Sequence, residues 1–124
     1  MNPLRRQQTD EEVAKLLKVL QLIRTLEPVE AKVNELPLQT LTVLMYVASH
    51  NGCHKQAMEE DLEMNKASGS RNTDWLARLH RLGRPGLNLI TKEVDPTDKR
   101  RSILKLTRKG KDLVHKITHI LYEN

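Results

Sequence analysis

This sequence contains no phenylalanine, one tryptophan, two tyrosines and a single cysteine. One cysteine excludes an internal disulfide and every cysteine-rich zinc module, and it suits a reducing compartment. The shortage of aromatic rings requires an aliphatic core and removes the stacking platforms on which single-strand binders hold bases. Long apolar runs are missing too. No stretch has the length of a membrane span, and the N-terminal MNPLRRQQTDEE lacks the apolar segment of a secretory signal. The expectation is a soluble cytoplasmic protein that does not associate with membranes. At 124 residues and 14.3 kDa the chain has room for one domain and one core, not for separate cofactor and substrate domains.

What is present is basic charge: 21 Lys and Arg against 16 Asp and Glu, a formal +5 with a pI near 9.5. Such a balance points to an acidic partner such as nucleic acid. Its distribution is uneven. Residues 1–65 carry 7 basic and 10 acidic side chains, whereas residues 66–124 carry 14 and 6. The positive character therefore belongs to the C-terminal half.

Thr9-Asp10-Glu11-Glu12 has the form of a capping box and predicts a helix start. Val13, Leu16, Leu17, Leu20, Ile23 and Leu26 follow at helical spacing, with Val19 and Leu22 widening the stripe beyond what one packing contact needs. Pro28 is expected to end or kink that helix. Pro37 suits the first turn of a second, whose buried face is expected at Leu38, Leu41, Leu44, Met45 and Ala48 and whose stop is Asn51-Gly52. A short helix from about His54 to Leu62 would turn Ala57, Met58 and Leu62 inward and acidic side chains outward. Residues 63–70 read as a turn. A fourth helix, about Ser70 to Leu82, has Trp75, Leu76, Leu79 and Leu82 on one side and Arg71, Asp74, Arg78 and Arg81 on the other.

The period then changes from helical to alternating. Leu87, Leu89, Thr91 and Glu93 form one alternating set and Ile103, Lys105 and Thr107 another, so two strands flank a turn at Asp95-Pro96-Thr97-Asp98-Lys99-Arg100. From about Lys109, Leu113, Val114, Ile117, Ile120 and Leu121 mark a last helix. Two helices joined by a short Gly-containing turn, with arginines on the second and a basic hairpin after it, give the element order of a winged helix-turn-helix domain. The fold class is mainly α (α+β). A DNA-binding core at 37–107 would be flanked by dimerisation helices at 9–27 and 109–124 within a single domain, 1–124.

Asp95-Pro96-Thr97-Asp98-Lys99-Arg100, a hydrophobic strand, and then Leu106-Thr107-Arg108-Lys109-Gly110 resemble the wing and following helix start of the MarR family of bacterial transcription regulators. Pro37, Gln39, Val43 and Leu44 also resemble the start of that family's second helix, and the likeness spans roughly residues 36–114. It implies a homodimer that binds double-stranded DNA, probing the minor groove with Arg100 oriented by Asp98. Two departures stand out. Arg84-Pro85-Gly86-Leu87-Asn88 makes the connection before the wing longer than in the family, and members continue into another long helix past the position of Asn124.

The residues read as contacts are Ser68, Ser70, Arg71, Asn72, Thr73, Arg78 and Arg81 on the fourth helix, in the major groove, and Asp98, Lys99, Arg100 and Arg101 on the wing. Arginines on one helix are most often a solvated face; the basic hairpin downstream turns them into a contact surface. The expected dimer residues are Val13, Leu16, Leu20 and Ile23 with Leu113, Ile117, Ile120 and Leu121. His50 with His54, and His115 with His119, lack further ligands at metal spacing. Cys53 reads as a small buried residue. No catalytic triad order, phosphate-cradling glycine loop or paired buried carboxylate occurs, so neither an enzyme nor a cofactor is expected. The rival reading is a winged helix that binds RNA polymerase or another regulator instead of DNA. A small-molecule effector held between dimer helices and core is a third, weaker reading.

Overall fold

A computed structural model describes residues 10–26, 36–78 and 85–123. Thr9, Pro28, Leu79, Arg81, Leu82, Gly83 and Arg84 lie outside them. The elements in order are α1 (Asp10–Arg24), α2 (Leu38–Ser49), β1 (Cys53–His54), α3 (Lys55–Asp61), α4 (Lys66–Leu76), β2 (Ile90–Asp95), β3 (Asp98–Leu106) and α5 (Arg108–Tyr122). This is a winged helix with helices added before and after it.

The core is aliphatic. Val43, Leu44 and Val47 of α2, Met58 of α3, Leu76 of α4, Leu87, Leu89 and Ile90 leading into β2, and Leu104 of β3 are buried together with Ile23, Leu113 and Ile117. The α2 face is rotated from the expected one, with Thr40 buried and Leu38 exposed. Pro37 precedes the helix, and its carbonyl accepts from the Thr40 and Leu41 amides. At the far end Gly52 takes a positive φ of 89° and its amide reaches the Leu104 carbonyl, while the Asn51 side chain accepts from the Leu106 amide. Asn51-Gly52 thus stops α2 and also docks it on β3.

The sheet order is β1-β3-β2, antiparallel throughout. The two-residue strand β1 was not foreseen, because a helix was expected to start at His54. It pairs Cys53 with Leu104 and His54 with Ile103. The hairpin is tighter than the six-residue turn read from the sequence: Asp95 pairs with Asp98, Pro96-Thr97 alone make the turn, and a bulge falls at Val94/Asp95. Lys99, Arg100 and Arg101 therefore belong to β3 and inherit its pleat.

Leu87 and Leu89 lie ahead of β2, not in it. Their amides donate to the carbonyls of Trp75 and Leu76, so the connection before the wing covers the end of α4. A Cβ at Gly86 would overlap the Ala77 carbonyl, which explains the glycine. The Leu-Thr-x-x-Gly motif has a similar account. Thr107 caps α5 by accepting from the Gly110 amide at 3.0 Å and donates to the Asn88 carbonyl at 2.7 Å. A Cβ at Gly110 would overlap the Leu89 carbonyl, so only glycine lets α5 sit that close.

α1 packs on α5 through Ile23, which is buried, and the partly buried Val19 and Leu22. Ile23, Leu113 and Ile117, read from sequence as dimer residues, are core residues of the single chain. Both helices carry apolar stripes wide enough to serve two purposes, and spacing alone does not divide them.

Candidate nucleic-acid interface

α3 and α4 form a helix-turn-helix whose turn spans residues 62–65. Glu63 takes a left-handed φ of 53°, and Asn65 caps α4 by accepting from the Ser68 amide at 2.8 Å. The helix therefore begins at Lys66, four residues ahead of the expected Ser70, and ends at Leu76 instead of Leu82, with Ala77 as its extended cap. Small residues had suggested a loop. They serve packing instead: Gly69 is buried against the Glu59 carboxylate, where a Cβ would collide. Glu59 itself is buried and paired with Lys55 at 2.7 Å, so the outer face of α3 is less acidic than expected.

Three polar residues of α4 read as facing outward are used internally. Asn72 is buried and bridges two helices: its Oδ1 accepts from the fully buried Thr40 hydroxyl at 2.7 Å, and its Nδ2 donates to Gln39 Oε1 and to the Ser68 carbonyl, each at 2.9 Å. Thr73 is buried and its hydroxyl returns to the Gly69 carbonyl at 2.8 Å. Asp74 is buried beside β2, where Lys92 donates to it at 2.7 Å. Asn72 and Thr73 are therefore packing residues, and Asp74 anchors the hairpin to α4.

Arg71 remains on the exposed face and donates to Ser68 Oγ at 3.1 Å; Ser68 and Ser70 are half-buried. Lys66 and Ala67, in the first turn of α4, are exposed as well and were missed, because the helix begins ahead of the expected Ser70. Asn65, a good cap ahead of a lysine, was the available signal. Arg78 is exposed but lies past the helix end, so it does not continue the arginine stripe. Arg81 and Arg84 lie outside the described residues.

On the hairpin, Asp98 gathers two arginines. Its Oδ1 accepts from the Arg100 amide at 3.1 Å and Nε at 3.2 Å, its Oδ2 from Arg100 Nη2 at 3.4 Å, and Arg101 Nε lies 3.6 Å from Oδ2. The Arg100 side chain is 89% exposed, held at its root and free at its outer edge. The Arg100 hydrogen bonds, with a contribution from the Arg101 charge, hold the Asp98 carboxyl below the usual carboxylate range. Asp98 is thus anionic at neutral pH, and its bond to Arg100 is charge-assisted.

Elsewhere, Tyr46 stacks on His50 with ring centroids 4.2 Å apart and donates to Asp61 at 2.5 Å, which pushes its phenol up to about 12. Cys53 is half-buried and burial raises its thiol, the opposite of a reactive thiolate. A cleft of about 410 Å³ on the α1/α5 surface is lined by Leu22, His115, Lys116, His119 and Ile120. Among the described residues no three His, Cys, Asp or Glu side chains gather as a metal site, and no helix is long and apolar enough to cross a membrane.

No protein-family model matches the chain, and no curated protein does. Solved structures do match. A Staphylococcus aureus MepR–DNA complex shares 23% identity at TM-score 0.64 over 91% of this chain and 77% of its own. The transcriptional repressor CouR, bound to a 23-mer DNA duplex, shares 18% at TM-score 0.58 over 90% and 68%. A MarR transcriptional regulator from Methanosarcina mazei Go1 shares 17% at TM-score 0.58 over 92% and 77%. The chain has the fold of MarR-family transcriptional regulators.

Proposed function

We propose that this chain is a MarR-type transcription regulator that binds double-stranded DNA as a homodimer and represses by occupying its operator. α4 would enter the major groove with Lys66, Ser70 and Arg71, and the hairpin would place Arg100, flanked by Lys99 and Arg101, in the minor groove. One observation carries the reading: an almost fully exposed Arg100, oriented by an ionised Asp98, at the end of a hairpin tied to α4 through Lys92 and Asp74. That MepR and CouR, which share the fold, were solved on DNA supports it.

The test is a salt series on labelled duplex DNA. Each neutralised phosphate contributes about −0.9 to the slope of log affinity against log salt, so contact with several phosphates per protomer gives a steep line. A flat line would transfer the function to the protein-binding reading.

The dimer has its own support. Val13, Leu16, Leu17 and Leu20 stand 51% to 54% exposed along one side of α1, an apolar face the single chain leaves open. Half-buried Ile120 and Leu121 close α5. With Leu16→Glu and Leu20→Glu combined, sedimentation should give the 14.3 kDa monomer with its helical signal intact, where the parent gives twice that mass. A double variant that remains dimeric would remove α1 from the interface.

A further inference from the structure

We propose that His54, on β1, is a positioning residue for the hairpin: by holding Asp95 it sets the angle at which Lys99 and Arg100 are presented. The inference rests on the hairpin's role in DNA binding proposed above, and it brings into that role a residue outside the hairpin.

The geometry is a short chain of contacts. β1 and β2 lie on opposite sides of β3, so the His54 to Asp95 contact spans the sheet at its open end. His54 Nε2 lies 2.7 Å from Asp95 Oδ2. The other carboxylate oxygen, Oδ1, accepts from the Thr97 amide at 2.8 Å and the Thr97 hydroxyl at 2.7 Å, closing the Pro96-Thr97 turn. Asp95 pairs in register with Asp98, which carries Arg100 and Arg101. One buried carboxylate thus braces the turn from inside and is itself held from β1.

Side chains are needed there because the ladder is irregular. The bulge at Val94/Asp95 interrupts regular pairing just before the turn, and bulged strands bend and twist more than their neighbours. Lower on the same strand, Lys92 binds Asp74 of α4. Lys92 fixes the hairpin's middle to α4, and His54 fixes its end to β1. The His54 bond, then the two Thr97 bonds, hold the Asp95 carboxyl far below its ordinary range, so the acceptor stays charged wherever the protein is folded near neutrality.

The probe is a fluorescein-labelled duplex recovered by the parent protein from a random pool, read by anisotropy, with far-UV dichroism and melting as folding controls. His54→Ala should weaken binding about three- to tenfold, the order expected for one lost charge-assisted hydrogen bond. His54→Gln, which returns an N–H donor at similar reach, should restore binding to within about twofold on the same reasoning. Asp95→Asn, which keeps the shape and removes the charge, is the second variant and should weaken binding to the same extent as His54→Ala. In an Arg100→Ala background the His54→Ala change should lose most of its effect, since the groove-inserting side chain that it aims is gone. Full additivity, failure of His54→Gln to restore, or parental binding by His54→Ala each overturns the positioning role. If Arg100→Ala itself binds like the parent, the hairpin reading falls, and this inference falls with it.

Discussion

Arg100→Ala should lower affinity for a selected duplex by about 1–3 kcal/mol while leaving the melting temperature where it was. Both halves follow from the structure. The side chain is 89% exposed, so its removal opens no cavity and strands no buried partner; Asp98 keeps the Arg101 guanidinium and simply gains water. What is lost is a planar cation already oriented before DNA arrives. Its three bonds to Asp98, two from the side chain and one from its own amide, restrict the rotamers that binding would otherwise have to freeze. The loss should be largest on duplexes with narrow A·T-rich minor grooves, whose negative potential a guanidinium matches, and smaller on mixed sequence. Equal affinity on both duplexes, or a fall in melting temperature in place of affinity, would show that Arg100 is not the inserting side chain.

Asn72→Ala should produce the opposite pattern, a loss of stability of about 1–3 kcal/mol from buried groups left without partners. For a domain of this size that is a drop in melting temperature of about 4 °C per kcal/mol. Sequence reasoning placed Asn72 among the DNA contacts, where alanine would reduce affinity and spare stability. The structure places it between helices. The fully buried Thr40 hydroxyl donates to Asn72 Oδ1, and Gln39 and the Ser68 carbonyl share the amide. Because α2 and α4 meet through this side chain, DNA affinity should also fall, but in step with the population of folded protein. Thermal melts and binding titrations on one preparation separate the two accounts. A variant that melts like the parent and binds weakly would return Asn72 to the interface.

Much of the fold is legible in the sequence. α1 and α5 appear where their apolar periods place them, the switch from helical to alternating spacing marks the hairpin, and the capping Thr107 with Gly110 marks the start of α5. The departures share a cause. α4 begins at Lys66 although Ser68, Gly69 and Ser70 have the composition of a loop, because Asn65 caps it and the nearness of Glu59 requires a glycine at position 69. The strand β1 is two residues long, too short for any alternation to register, and exists because β3 offers Leu104 and Ile103 to pair with. Propensity is a local quantity, and both elements are fixed by neighbours.

The sequence by itself determined the order of the helices and the hairpin, the aliphatic core, the placing of excess positive charge in the second half and the DPTDKR turn with its Asp98–Arg100 pair, because each depends on residues within a few positions of one another. Only the tertiary structure decided which polar side chains remain available to a partner. Asn72, Asp74 and Asp95 are held by Thr40, Lys92 and His54, at separations of 32, 18 and 41 residues. Helical period tells which residues share a face, but not what that face meets. A polar group beside a distant donor is consumed inside the molecule, and one with no such neighbour, such as Arg71 or the outer edge of Arg100, is left to face the solvent.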